Sequence, residues 1–188
     1  MKRTRNLMSL GLAIAWSVML AGCASYRITS DVPDELRTIA VAVFENETGY
    51  PETSAIVTQY VLREFQREGT MKIKSWRNED SSLKLQGIIK RGEMTPVRFD
   101  RSYGSRAAEN RYTLIAEITL VERSTGKLLL DAVEVHGSTT FLTYDDMLTG
   151  MQNAYPRIAK ELSRAIVDTV LATWAPQPEP KTEPKKDE

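Results

Sequence analysis

The chain has 188 residues, with 25 Lys+Arg against 25 Asp+Glu, one His and one Cys. That balance offers no basic field to a nucleic-acid backbone, the lone cysteine excludes a disulfide within the chain, and the lone histidine leaves no His/Cys set for zinc. The length suits one domain of ordinary size.

Lys2, Arg3 and Arg5 precede an apolar run from Leu7 to Leu20, and Leu20-Ala21-Gly22-Cys23 closes it. These are the charged, apolar and cleavage regions of an export signal, and the run is shorter than the roughly 18 residues a spanning helix needs. The closing tetrad is similar to the bacterial lipobox. That similarity implies removal of residues 1–22 and acylation of Cys23 as the first mature residue. Several acyl chains, at about 0.8 kcal/mol per buried CH₂, make a stable anchor. Ala24 stands where an aspartate would imply inner-membrane retention, so the outer membrane, periplasmic face, is expected. Losing Lys2, Arg3 and Arg5 with the leader leaves the mature chain with three more acidic than basic groups.

Residues 37–44 alternate Ile39, Val41 and Val43 against Ala40, Ala42 and Phe44, and apolar character on both faces predicts a central strand. Asn46 to Pro51 reads as a turn. A helix follows from Pro51-Glu52 to about Glu68, with Gly69 as its stop. Ile56, Val57, Tyr60, Val61 and Phe65 give it one apolar stripe, opposite Arg63, Glu64, Arg67 and Glu68.

Residues 71–76 and 83–91 are short strand candidates, with Gly87 marking a bulge or a close contact. The segment Gly92 to Asn110, with Pro96 and Gly104, reads as an irregular, extended hairpin region. Arg111 to Val121 places Tyr112, Leu114, Ala116, Ile118 and Leu120 on one strand face. Ser124-Thr125-Gly126-Lys127 turns the chain, and Leu128 to Thr139 returns antiparallel.

From Asp145 the pattern becomes helical, with Asp145 and Asp146 suited to the N-cap and first turn. Pro156 is expected to kink this helix or to begin a second one, and Ile158, Leu162, Ala165, Ile166 and Val170 continue the stripe to Trp174. Residues 175–188 combine four prolines with charge and no large apolar side chain, which predicts a disordered tail. The expected fold is α+β. Two helices pack on one face of a mostly antiparallel four-stranded sheet, in the order β-α-β-β-β-α, over residues 23–174.

Enzyme chemistry finds no support in these residues. His136 sits in a predicted strand with Ser138 on the same face but without a Gly-x-Ser-x-Gly elbow, which favours a structural role. Gly69, Gly87, Gly92 and Gly104 are isolated and build no phosphate loop. No metal and no cofactor is expected.

Several strings carry a resemblance. Gly22-Cys23-Ala24-Ser25-Tyr26-Arg27 is followed by Thr38-Ile39-Ala40-Val41 with Phe44-Glu45-Asn46-Glu47-Thr48, then by Arg63-Glu64-Phe65-Gln66-Arg67-Glu68-Gly69-Thr70. Leu85-Gln86-Gly87, Tyr112-Thr113-Leu114 and Ser124-Thr125-Gly126-Lys127 come next, ahead of the C-terminal helix. In this order and spacing the chain resembles the LPS-assembly lipoprotein family, LptE, across the mature domain, apart from Met94 to Asn110 and the tail. The resemblance implies a helix pair on a four-stranded sheet and a non-catalytic role as plug and assembly partner of an outer-membrane β-barrel of the lipopolysaccharide-export type. Lys90, Arg91, Arg98, Arg101 and Arg106 lie close in sequence to Met94, Val97 and Phe99. Guanidinium forks beside apolar side chains are the chemistry that lipid A, with phosphates next to acyl chains, would use. Tyr103 and Phe141 are candidate aromatic anchors for the barrel wall. The alternative left open is a periplasm-facing lipoprotein adaptor of a secretion or efflux assembly.

Overall fold

The apolar run at residues 37–44 forms β1 (Thr38–Val41), and the chain soon extends again as β2 (Glu45–Asn46). In the computed structural model, which describes residues 32–77, 80–100, 106–143 and 147–175, β1 is the inner strand that the two-faced pattern requires. Ile39 and Ala40, which face opposite ways, are both fully buried. Helix α1 (Thr53–Glu68) follows, with Val57, Val61 and Phe65 fully buried along its predicted stripe. Gly69 ends the helix at φ 82°, a left-handed turn that glycine adopts without a Cβ penalty, and its N–H bonds the Phe65 carbonyl at 3.0 Å.

The chain then lays β3 (Lys72–Lys74) parallel to β1, with Ile39 paired to Ile73. Long β4 (Leu83–Asp100), β5 (Arg106–Glu122) and β6 (Leu128–Leu142) form an antiparallel meander, and α2 (Met147–Ala172) closes the fold. The strand order is β3-β1-β4-β5-β6, with β2 also on β4.

This corrects the expected four-stranded, mostly antiparallel sheet. Among the described residues six strands are present, and all pairings of β1, β2 and β3 are parallel. The reason is topological: a chain that leaves β1 through a helix and returns beside it arrives in the same direction. β3 falls within the strand candidate at residues 71–76, whereas β2 spans only two residues, too few for a period to register.

The segment Gly92 to Asn110 is corrected in part: it is extended as expected, but its described residues, 92–100 and 106–110, are regular strand, because β4 and β5 stay paired from Leu83↔Glu122 to Asp100↔Arg106 and a long ribbon projects beyond the body of the sheet. Register shifts leave Lys90 and Val97 as extra residues on β4. Pro96 is tolerated there because β1 and β2 pair with β4 only as far as Ile89, which leaves the outer edge beyond it without a described strand.

Both helices cover one sheet face and run in the same direction. Thr53 Oγ1 meets the Tyr155 hydroxyl at 2.6 Å near one end, and Arg164 reaches buried Glu64 at 3.8 Å towards the other. Pro156 does not start a new helix; α2 continues through it. The core lies between this pair and Leu83, Leu85, Ile89, Leu114, Ile118 and Leu120. Gly87 is the close contact expected, since a Cβ there would overlap the Phe44 ring.

Candidate functional site

The molecule has two distinct poles. Val32 is buried near the start of β1, where its carbonyl accepts from Arg37 Nε at 3.2 Å, and α2 ends alongside the C-terminal end of α1. Both ends of the described domain therefore leave from one pole. The β4–β5 ribbon, the end of β6 and the start of α2 form the other.

Lys90, Arg91, Arg98 and Arg106, the described ones among the cationic residues marked in the sequence, lie along the ribbon, and each one with a described side chain has a carboxylate partner. Lys90, in the bulge, pairs with Glu47 at 2.8 Å, and this contact raises its pKa. Arg91 Nε donates to Glu93 at 2.8 Å and its NH2 approaches Glu134 at 3.4 Å; the Glu93 hydrogen bond is the larger cause of its raised pKa. Arg98 lies 3.8 Å from Glu109. Arg106 begins β5 opposite Asp100. Arg101, Tyr103 and Cys23, the expected lipid anchor, lie outside the described residues.

Pairing brings to Arg91 two residues that sequence order keeps apart. Ile115 pairs with Arg91 on one side and His136 on the other, and His136 Nε2 is 3.0 Å from the same Glu134 oxygen that Arg91 approaches. Arg91, Glu93, Glu134 and His136 form a polar cluster around buried Ile115 on the sheet face opposite the helices. The predicted strand held His136, but nothing in the local sequence places it near Arg91.

Phe141, the other candidate anchor, packs in the core of this chain: it is 5 % exposed, and a Cβ on Gly150 would stand 3.0 Å from its ring. Among the described residues the exposed aromatic on the ribbon is Phe99, 58 % exposed, with Val97, Leu142, Met147 and Leu148 also exposed at this pole. Strand periodicity could have flagged Phe99, but only had the segment been read as a strand.

Between the start of α1 and the start of α2 runs a groove of about 520 Å³, walled by Tyr50, Ile56, Leu148, Met151 and Tyr155. The Thr53 hydroxyl at its floor bonds Tyr155 and the Tyr50 carbonyl, the latter at 2.7 Å. Burial pushes the Tyr112 phenol up to about 12, helped by Tyr155 and Tyr50, and burial raises Tyr155 as well. Among the described residues no group of His, Cys, Asp and Glu could hold a metal, and no helix is long and apolar enough to cross a membrane.

The family model for lipopolysaccharide assembly, LptE, matches residues 36–172, from the turn before β1 to the end of α2. The chain belongs to the LptE family. This LptE domain shares its fold with protein CT253 of Chlamydia trachomatis, at TM-score 0.52 and 8 % identity, over 72 % of this chain and 96 % of that one. It is also similar to the rare lipoprotein B of Shewanella oneidensis, at TM-score 0.48 and 12 % identity, over 72 % and 95 % of the two chains. The PelC dodecamer of Paraburkholderia phytofirmans gives TM-score 0.45 and 14 % identity, over 79 % and 96 %. No curated protein matches the chain. Family membership makes the LptE chain a lipopolysaccharide-assembly lipoprotein and leaves its partner and contact surfaces to be argued from chemistry.

Proposed function

We propose that this chain is the outer-membrane lipoprotein subunit of a lipopolysaccharide-export complex, held by acylated Cys23 and serving as plug and assembly partner of a β-barrel translocon. The family match over residues 36–172 is the observation that carries this reading. The two poles support it. Cys23 precedes Val32 in the chain, so the anchor joins at the pole where both ends of the domain leave, and the ribbon pole is free to meet a barrel lumen. There Phe99, Val97 and Leu148 offer exposed apolar surface, and Tyr103 falls between β4 and β5 in sequence. Aromatic anchors of this kind carry much of the energy of such an interface.

The role is non-catalytic. Contact with lipopolysaccharide would use the cations of the ribbon and its neighbouring sheet face, Lys90, Arg91 and Arg98, with Arg101 and Arg106 from the same hairpin. Glu93 and Glu134 each hold the Arg91 guanidinium through a single oxygen, and a lipid A phosphate would replace one carboxylate by another oxyanion, one able to take the guanidinium fork bidentately.

The test is gentle detergent extraction of the tagged, full-length protein followed by mass identification of what accompanies it. A stoichiometric large β-barrel is expected. Its absence, under conditions where other outer-membrane complexes survive, would overturn the plug reading in favour of a solitary or secretion-linked lipoprotein.

A further inference from the structure

Helix α2 is one element by its backbone but two by its packing. After Pro156, the side chains of Ile158, Leu162, Ile166 and Val170 are fully buried, and the Leu162 backbone lies so close on Gly137 of β6 that a Cβ there would overlap it. Before Pro156, Met147 and Leu148 are 50 % and 55 % exposed, and burial rests on Met151, Ala154 and Tyr155. One flank of this segment borders the groove instead of packing against α1. A flank facing open space forgoes the dispersion contacts that the rest of the helix makes.

The junction is weak for a chemical reason. Pro156 has no N–H to return to the Gln152 carbonyl, and its ring crowds that carbonyl, so the helix lacks a hydrogen bond where its packing changes. Gly150, inside the segment, lowers helix propensity further. Among the contacts that hold the segment closed are the burial of Met151 and Ala154, the Tyr155–Thr53 hydroxyl contact and the tilted ring contacts of Tyr155 with Tyr50 and Tyr112.

We propose that Met147–Tyr155 is a hinged arm, which opens about Pro156 as a unit while the remainder of α2 stays docked, and that Tyr155 is its latch. Opening lifts Gly150 off Phe141 and joins the groove to the apolar floor beneath the arm. The ribbon pole then has a closed and an open form, independently of whether a barrel is its partner.

Amide hydrogen exchange of the mature, lipidated protein in micelles tests this. The amides of residues 151–155 are expected to exchange as one group, about a hundredfold faster than those of residues 162–170. Pro156→Ala restores the missing bond and is expected to slow the group by about tenfold without altering residues 162–170. Tyr155→Phe removes the latch hydroxyl and is expected to speed the arm alone. Rates that fall off progressively from residue 151 to 155 would mean end fraying and overturn the hinge, as would an arm that exchanges with the rest of α2 or is unmoved by Pro156→Ala. Should that variant not fold, an arm unaffected by Tyr155→Phe overturns the proposal on its own.

Discussion

Strands β4, β5 and β6 run through both the body of the domain and its projecting ribbon, yet the two regions differ in what covers them. In the body, two helices seal one face, and Leu85, Ile118 and Leu120 are fully buried. Along the ribbon the backbone pairing continues to Asp100↔Arg106, but the described cover is the first part of α2, and Val97 and Phe99 face solvent. Charge follows the same division. Glu64 is buried between Arg67 and Arg164 in the helix layer, whereas Arg91, Glu93, Glu134 and His136 pair in the open. Ladder hydrogen bonds can therefore carry a strand beyond the core that stabilises the fold, and surface that does not serve stability is left free for recognition.

The largest test of this contrast lies in the body. Gly137→Ala would force α2 off β6, because the added carbon overlaps the Leu162 backbone and backbone has no rotamer through which to yield. A loss of about 3 kcal/mol in urea unfolding is expected, at the upper end for overpacked cores. A neutral result would mean that the helix layer is looser than its burial implies.

At the border of the two regions, stability should fall with alkaline pH. The folded state raises the Tyr112 phenol to about 12, so its contribution is complete below the unfolded value near 10 and disappears as pH rises through the folded one. Unfolding midpoints measured from pH 9 to 12 are expected to drop, and Tyr112→Phe is expected to flatten the slope, leaving the smaller share owed to Tyr155. An unchanged slope would assign the effect to other groups.

The smallest effect on stability is expected on the ribbon. Phe99→Ala removes a ring that is 58 % exposed and should shift stability by less than about 0.5 kcal/mol while reducing recovery of a barrel partner. A loss approaching that of Gly137→Ala would place the ribbon inside the cooperative core and erase the distinction.

Much of the body could be read from local pattern. The stripe Val57, Val61, Phe65 and its Gly69 stop appear where periodicity put them, as does the alternation from Tyr112 to Leu120. The ribbon could not, because Pro96 and clustered polar side chains imitate a loop whenever a strand lacks a second covered face. The candidate site was legible residue by residue, as cations beside apolar side chains. Its organisation was not: Phe141 turned inward under Gly150, and Lys90, Arg91 and Arg98 each acquired a carboxylate from another strand or a nearby residue.

By itself, the sequence determined the helices, the strands of the sheet's body, their apolar faces and the family, since each depends on residues close together or in fixed order. Only the tertiary structure decided that β1, β2 and β3 pair in parallel, that Arg91 and His136 share Glu134, and that both ends of the domain leave from one pole. Those features depend on register and helix direction, which are fixed by contacts between residues far apart in the chain and leave no periodic trace within it.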